Sequence, residues 1–83
     1  MEFRVGDRVV GETGYMRGIK GTVVNLFALN ALVEFDENVH GHNGNDGTCR
    51  DGHGWYCTPE EITLLAHPKP IAEVTVEGDL ARK

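Results

Sequence analysis

The apolar residues of this chain come in short runs that are rich in β-branched and aromatic side chains, and turn residues bound each run. Such runs are typical of β-strands, and no segment shows a helical apolar period of useful length. With 83 residues the chain has room for one hydrophobic core. We therefore predict one all-β domain with strands within five segments: Val5–Val10, Gly21–Phe27, Leu32–Phe35, Trp55–Cys57 and Ile62–Leu65.

The connections between these segments differ greatly in length. Residues 11–18 carry three glycines and predict a loop, and Thr58–Glu61 has the capping residue and proline of a one-turn helix. The stretch from Asp36 to Gly54 holds five glycines, and Val39 is its only large apolar residue. Loops longer than about 12 to 15 residues are uncommon in compact domains unless they are functional or disordered. We therefore expect function to reside in this long loop, ordered by contacts from outside itself.

The domain is predicted to cover residues 1–66, and residues 67–83 form a tail. The tail opens with a linker-like segment, His67-Pro68-Lys69-Pro70. Alternating apolar residues over 71–76 favour an added edge strand there.

Two segments carry a resemblance to a known class of module. Val5-Gly6-Asp7-Arg8-Val9, followed by Gly18-Ile19-Lys20-Gly21-Thr22-Val23-Val24, is similar to the opening of KOW-type modules. The resemblance spans roughly Phe3 to Leu65 and is of the kind found in short bacterial and phage proteins. It implies a small SH3-like barrel of five short strands with a one-turn helix before the last.

A looser resemblance concerns the start of the long loop. Val33 to Glu37 and Asn43 to Gly47 look like parts of a CAP-Gly domain, a family with a peptide-binding groove. The lysine that precedes Asn-Asp-Gly in that family is missing here, so an acidic peptide ligand is not carried over.

The charge balance bears on the partners of this chain. Eight Lys and Arg residues face 13 Asp and Glu residues, giving a formal net charge of -5. This disfavours nucleic acid, whose binding calls for an excess of positive charge. No apolar run is long enough for a membrane span, and the start of the chain lacks the features of a secretory signal. We therefore predict a cytoplasmic protein with no membrane contact.

Histidines and cysteines are concentrated near the long loop, and three interpretations of them stay open. His40, His42, Cys49, His53 and Cys57 include ligand types suited to tetrahedral zinc. A disulfide between the cysteines is a second interpretation, and reduced thiols among polar loop residues are the third. The third is favoured because no Cys-x-x-Cys pair is present, so we predict no metal and no cofactor. A Cys-His nucleophile on such a loop lacks a rigid scaffold, and we predict no enzymatic activity.

Neighbouring aromatic residues point to a binding surface. Trp55 and Tyr56 face opposite sides of one predicted strand, so one ring must point away from the core. Exposed aromatic rings give large contact area at small entropic cost. The predicted ligand-binding residues are Tyr15, His42, Arg50, His53, Trp55 and Tyr56.

The predicted partner is another protein or a peptide. A second hypothesis is a small-ligand or nucleotide binder, such as a phage-encoded sequestering protein, in which loop N–H groups and Arg50 or His53 meet an anion. A third is a KOW-like RNA contact.

Overall fold

The computed structural model describes residues 3–68, and the all-β prediction is confirmed for them. Every predicted strand segment overlaps an observed strand. The strands are β1 (Arg8–Gly11), β2 (Lys20–Leu26), β3 (Ala31–Phe35), β4 (Gly54–Cys57) and β5 (Ile62–Ala66), with short 3-10 turns at Gly14–Met16 and Pro59–Glu61. The predicted edge strand over 71–76 lies outside the described residues. No helix within residues 3–68 is long and apolar enough to cross a membrane.

The five strands form one antiparallel sheet in the order β4-β3-β2-β1-β5. Its register shifts at two places, between Val23 and Asn25 in β2 and between Arg8 and Val9 in β1. Such shifts bend a strand and increase its twist. Among the described strands β4 and β5 are not paired, so the sheet is not closed by hydrogen bonds into a barrel.

The core lies on one face of the sheet. Five of the residues that strand patterning predicts for it are buried there: Val9, Val23, Val33, Phe35 and Ile62. Leu32 is also buried, but it alternates with Val33 along β3, faces the other side of the sheet and is not part of this cluster. The prediction that Leu64 also belongs to the core is wrong, because its side chain is 38% exposed. It lies on the edge strand β5, which has a neighbour on one side only.

Two buried core residues come from the connections rather than from the strands. Met16 follows Tyr15 in the first 3-10 turn, and Val39 lies in the long loop. Both pack into the cluster around Phe35, and the Sδ atom of Met16 lies 3.7 Å from the Sγ atom of Cys57. Each connection is therefore anchored in the core by one apolar side chain.

The end of the described chain returns to its beginning. Nδ1 of His67 lies 2.8 Å from Oδ1 of Asp7, a fully buried carboxylate that also accepts the N–H of Arg4. Pro68 packs over Gly6. The contacts of the domain thus extend past residue 66, where the sequence places the start of the tail.

Candidate functional site

The long loop folds back along the outer edge of β4. The N–H groups of Val39 and Gly41 both donate to the carbonyl of Gly52, at 2.9 and 3.0 Å. His42 and Gly54 exchange two backbone hydrogen bonds, at 2.9 and 2.7 Å, which makes an antiparallel bridge. These bonds hold residues 39–42 against the start of β4.

Two glycines allow this close approach. A β-carbon on Gly41 would clash with the carbonyl oxygen of Gly54 and touch the ring of Trp55. A β-carbon on Gly54 would lie 2.7 Å from the carbonyl oxygen of His42 and 3.1 Å from the Cys49 side chain. Backbone atoms cannot move aside as a flexible side chain can, so the packing of the loop requires glycine at both positions.

Short-range hydrogen bonds shape the remainder of the loop. The side chain of Asn43 accepts the N–H of Asn45 at 2.9 Å, and the side chain of Asp46 accepts the N–H of Thr48 at 3.0 Å. These are turns in which a polar side chain caps the backbone two residues on. The Thr48 hydrogen bonds also lower the pKa of the Asp46 carboxyl. The loop therefore has internal sources of order, which differs from the expectation that its order comes from outside.

An open depression of about 380 Å³ lies between the loop and β4, lined by His40, Gly41, His42, Trp55 and Tyr56. Ring contacts extend it on both sides. The Tyr15 ring packs on His40 with centroids 4.7 Å apart, the His42 ring stacks on Tyr56 at 4.9 Å, and the Phe27 ring meets Tyr56 edge-on at 5.8 Å. We call these six rings the aromatic row: Tyr15, His40, Trp55, His42, Tyr56 and Phe27.

Hydrogen bonds orient the two rings at the centre of the aromatic row. The N–H of Gly44 donates to Nδ1 of His42 at 2.9 Å, which fixes the orientation of the ring. The amide of Asn45 donates to the Tyr56 hydroxyl at 3.0 Å. The stacked pair of His42 and Tyr56 is therefore held from both sides by the loop.

One end of the aromatic row depends on backbone conformation. Tyr15 is 68% exposed, and burial of the adjacent Met16 anchors its turn. His40 adopts a left-handed backbone with a φ of 61°, and its N–H donates to the side chain of Asn38 at 2.8 Å. This conformation is uncommon for a residue with a side chain. It turns the chain away from β4 and leaves the His40 ring beside Tyr15.

Two of the predicted ligand-binding residues lie elsewhere. The backbone N–H and Nε of Arg50 both donate to Oε2 of Glu34 at 2.9 Å, and the guanidinium also reaches the carbonyl of Phe35. These bonds lower the pKa of the Glu34 carboxyl. Nδ1 of His53 donates to the Phe35 carbonyl at 2.7 Å, since a carbonyl only accepts. Neither residue lines the depression, and the Arg50 guanidinium is already engaged by an anion and a carbonyl.

The candidate metal ligands are not gathered into one site. Within residues 3–68 no group of three or more His, Cys, Asp and Glu side chains lies close enough to hold a metal ion. Cys49 and Cys57 are free, buried thiols rather than a disulfide. Burial raises the pKa of the Cys57 thiol to about 12 and also raises the pKa of the Cys49 thiol. The two thiols are therefore shielded from solvent and are not bonded to each other.

The structure brings together four of the six predicted site residues and adds others. Trp55, Tyr56 and His42 line the depression, and Tyr15 joins through His40. Sequence reasoning missed Phe27 and Gly41, and it considered His40 only as a metal ligand. Phe27 directly follows β2 beyond the register shift at Val23, so simple alternation along β2 could not indicate its direction.

No family of known proteins matches this chain, and neither do any curated proteins or solved structures.

Proposed function

We propose that this protein is a non-enzymatic binding module whose ligand is a protein segment or peptide lying across the aromatic row. The observation that carries the proposal is the depression beside Trp55 and Tyr56, flanked by the exposed rings of Tyr15 and Phe27. At about 380 Å³ it lies near the lower limit for small-molecule sites, which are usually enclosed. An open site of this size suits one or two side chains of a longer ligand.

The proposed scaffold is a small SH3-like barrel. Three features support it: the strand order β4-β3-β2-β1-β5, the 3-10 turn between β4 and β5, and the return of β5 to pair with β1. The register shifts in β1 and β2 bend the sheet around a core in which Phe35 is fully buried. In this scaffold the aromatic row occupies the surface beside the longest loop.

A selection from a displayed peptide library, followed by titration of the purified protein, tests the proposal. Trp55 is the only tryptophan and borders the depression, so its fluorescence reports directly on occupancy. We expect Tyr56→Ala to weaken binding of the selected peptides at least tenfold, because loss of a central interface aromatic typically costs about 2 kcal/mol or more.

The matched control is Leu65→Thr on β5, at the opposite edge of the sheet, where the side chain is 48% exposed. We expect it to bind like the parent. The proposal fails if no peptide is recovered, or if amide shifts on binding map to residues 4–10 and 17–20 rather than to the aromatic row. The latter result would favour the RNA hypothesis, because Arg4, Arg8, Arg17 and Lys20 lie there.

A further inference from the structure

At the outer edge of β4, the backbone of Tyr56 is the next pairing position after the His42–Gly54 bridge. Gly54 directs both its N–H and its carbonyl to His42, away from β3. Alternate residues of a strand direct these groups to the same side, so the N–H and carbonyl of Tyr56 also face this edge. The register agrees, because Trp55 then faces its partner Val33 on β3.

The loop leaves this position open. Regular antiparallel pairing from the His42–Gly54 bridge would place His40 opposite Tyr56. Instead the left-handed backbone of His40 directs its N–H to Asn38, and Gly41 turns toward Gly52. Within the described residues Tyr56 therefore has no strand partner at this edge, and the depression occupies the space where that partner would lie. A donor and an acceptor at strand spacing are what an extended polypeptide pairs with.

The charges of the long loop favour a cationic ligand. Two arginines near β3 are engaged by carboxylates, Arg8 by Asp36 and Arg50 by Glu34. Exposed acids occur along the same loop, at Glu37, Asp46 and Asp51, and the net charge of the chain is -5.

The aromatic row itself has the same preference. The faces of tryptophan and tyrosine rings attract Lys and Arg side chains, and guanidinium groups also stack on them. Among the described residues, the depression is lined by no carboxylate and no guanidinium. Its ring faces and the exposed acids of the loop thus favour the same ligand charge.

We propose that the ligand is an extended basic peptide that pairs with the main chain of Tyr56 as an added strand and places an arginine or lysine side chain on the aromatic row. This inference rests on the proposed function and specifies its ligand. The peptide takes the ladder position that His40 vacates. Pairing supplies the main-chain contacts, and the rings together with the negative charge of the loop select the side chain.

The test uses a fixed series of capped seven-residue peptides that alternate threonine and valine around a variable central residue. Trp55 fluorescence gives the Kd of each peptide for the full chain. We expect arginine and lysine at the centre to bind at least tenfold more tightly than glutamate, and more tightly than the uncharged norleucine. N-methylation of one backbone nitrogen at a time should weaken binding of the arginine peptide at least tenfold at one position only, where the N–H of the peptide donates to the carbonyl of Tyr56.

Controls separate this inference from the proposed function. Leu65→Thr should retain the full preference, whereas Tyr56→Ala should abolish it. Equal affinity for glutamate and arginine peptides overturns the choice of a basic ligand, and insensitivity to N-methylation overturns strand pairing. If no peptide of the series binds while library peptides still bind at the aromatic row, the inference fails and the proposed function stands. A dimer by sedimentation that disappears in Tyr56→Pro but persists in Leu65→Thr would show a second copy at this edge, and would also overturn it.

Discussion

The sheet core and the long loop of residues 36–53 are ordered by different interactions. The core consists of apolar side chains with almost no exposure, centred on Phe35, and its strands pair in one antiparallel sheet. The loop contributes Val39 to that core and is otherwise held by hydrogen bonds, by two close glycine contacts and by the Arg50–Glu34 pair. One chain thus combines a region ordered by apolar burial with a region ordered by polar contacts.

This difference explains where a binding site can form. The core side chains are apolar and buried, so they cannot contact a ligand. The loop, in contrast, folds without covering the rings of Trp55 and Tyr56 beside it. Regions with few buried apolar contacts also open locally at lower free energy than the core. The aromatic row lies at the boundary between the two regions, with Trp55 packed against the core and His42 held by the loop.

Removal of the Phe35 side chain at the centre of the core should have the largest effect on the free energy of unfolding. We expect Phe35→Ala to reduce the free energy of unfolding by about 3 to 5 kcal/mol, because it deletes a fully buried ring. A loss of this size approaches the whole stability of a small domain. Urea unfolding followed by Trp55 fluorescence and circular dichroism measures it. A variant that melts within a degree or two of the parent would contradict the burial-based account.

A matched pair on β5 extends this test. Ile62 is 4% exposed and Leu64 is 38% exposed, although they lie two residues apart on one strand. We expect Ile62→Ala to cost about 2 to 5 kcal/mol and Leu64→Ala no more than about 1 kcal/mol. Equal losses would show that Leu64 belongs to the core, as strand alternation predicts.

A methyl group added at Gly41 in the loop should reduce the free energy of unfolding by less than the core substitutions do. We expect Gly41→Ala to cost about 1 to 3 kcal/mol, since the new methyl group meets the backbone of Gly54. Val39 and His42 should exchange faster than Val9 in the parent and in the variant, because the loop opens at a lower free energy than the core. The control is Asp51→Ala, exposed in the same loop, with an expected change within about 0.5 kcal/mol. Equal opening free energies at Val39, His42 and Val9 would mean that loop and core open together.

The two cysteines report separately on the two regions. Cys49 lies in the loop and Cys57 in the core, and burial raises the pKa of both thiols, so both should react slowly with iodoacetamide in the folded protein. With Cys57→Ala we expect Cys49 to be alkylated at least tenfold faster than Cys57 is with Cys49→Ala. The physical reason is that the loop opens more often than the core. Identical rates would indicate one cooperative unit.

Protonation of the paired carboxylates at low pH should change the free energy of unfolding least. Hydrogen bonds from Arg50 lower the pKa of Glu34, and those from Arg8 lower the pKa of Asp36. A carboxyl whose pKa is lower in the folded state stabilises the protein above its unfolded pKa, and this contribution is lost as the pH falls through the folded pKa. Both pairs are partly exposed, so each contributes about 0 to 1 kcal/mol, lost below about pH 4.

Two variants assign this pH dependence to the two regions. Arg50→Met should flatten the acid dependence of hydrogen exchange in the loop, because Arg50 holds the loop to β3. Arg8→Met should flatten that of global unfolding instead, because Arg8 joins β1 to Asp36 at the end of β3. The reverse assignment would contradict the separation of loop and core.

Local features of the fold could be predicted from the sequence because neighbouring residues determine them. Runs of β-branched and aromatic residues mark the strands, and Thr58 with Pro59 and Glu61 specifies a helical turn through a capping interaction three residues long. The opposite orientations of Trp55 and Tyr56 follow from strand geometry alone, and this suffices to locate a candidate surface.

The other features depend on which residues meet across the sheet, and only the tertiary structure decided them. Leu64 lies beside the register shift between β5 and β1, and the direction of Phe27 follows a register shift in β2. Arg50 is engaged because Glu34, 16 residues earlier, lies across the sheet from the start of β4. Local propensity carries no information about such pairings, since they arise when strands far apart in the chain are brought into register by a shared core.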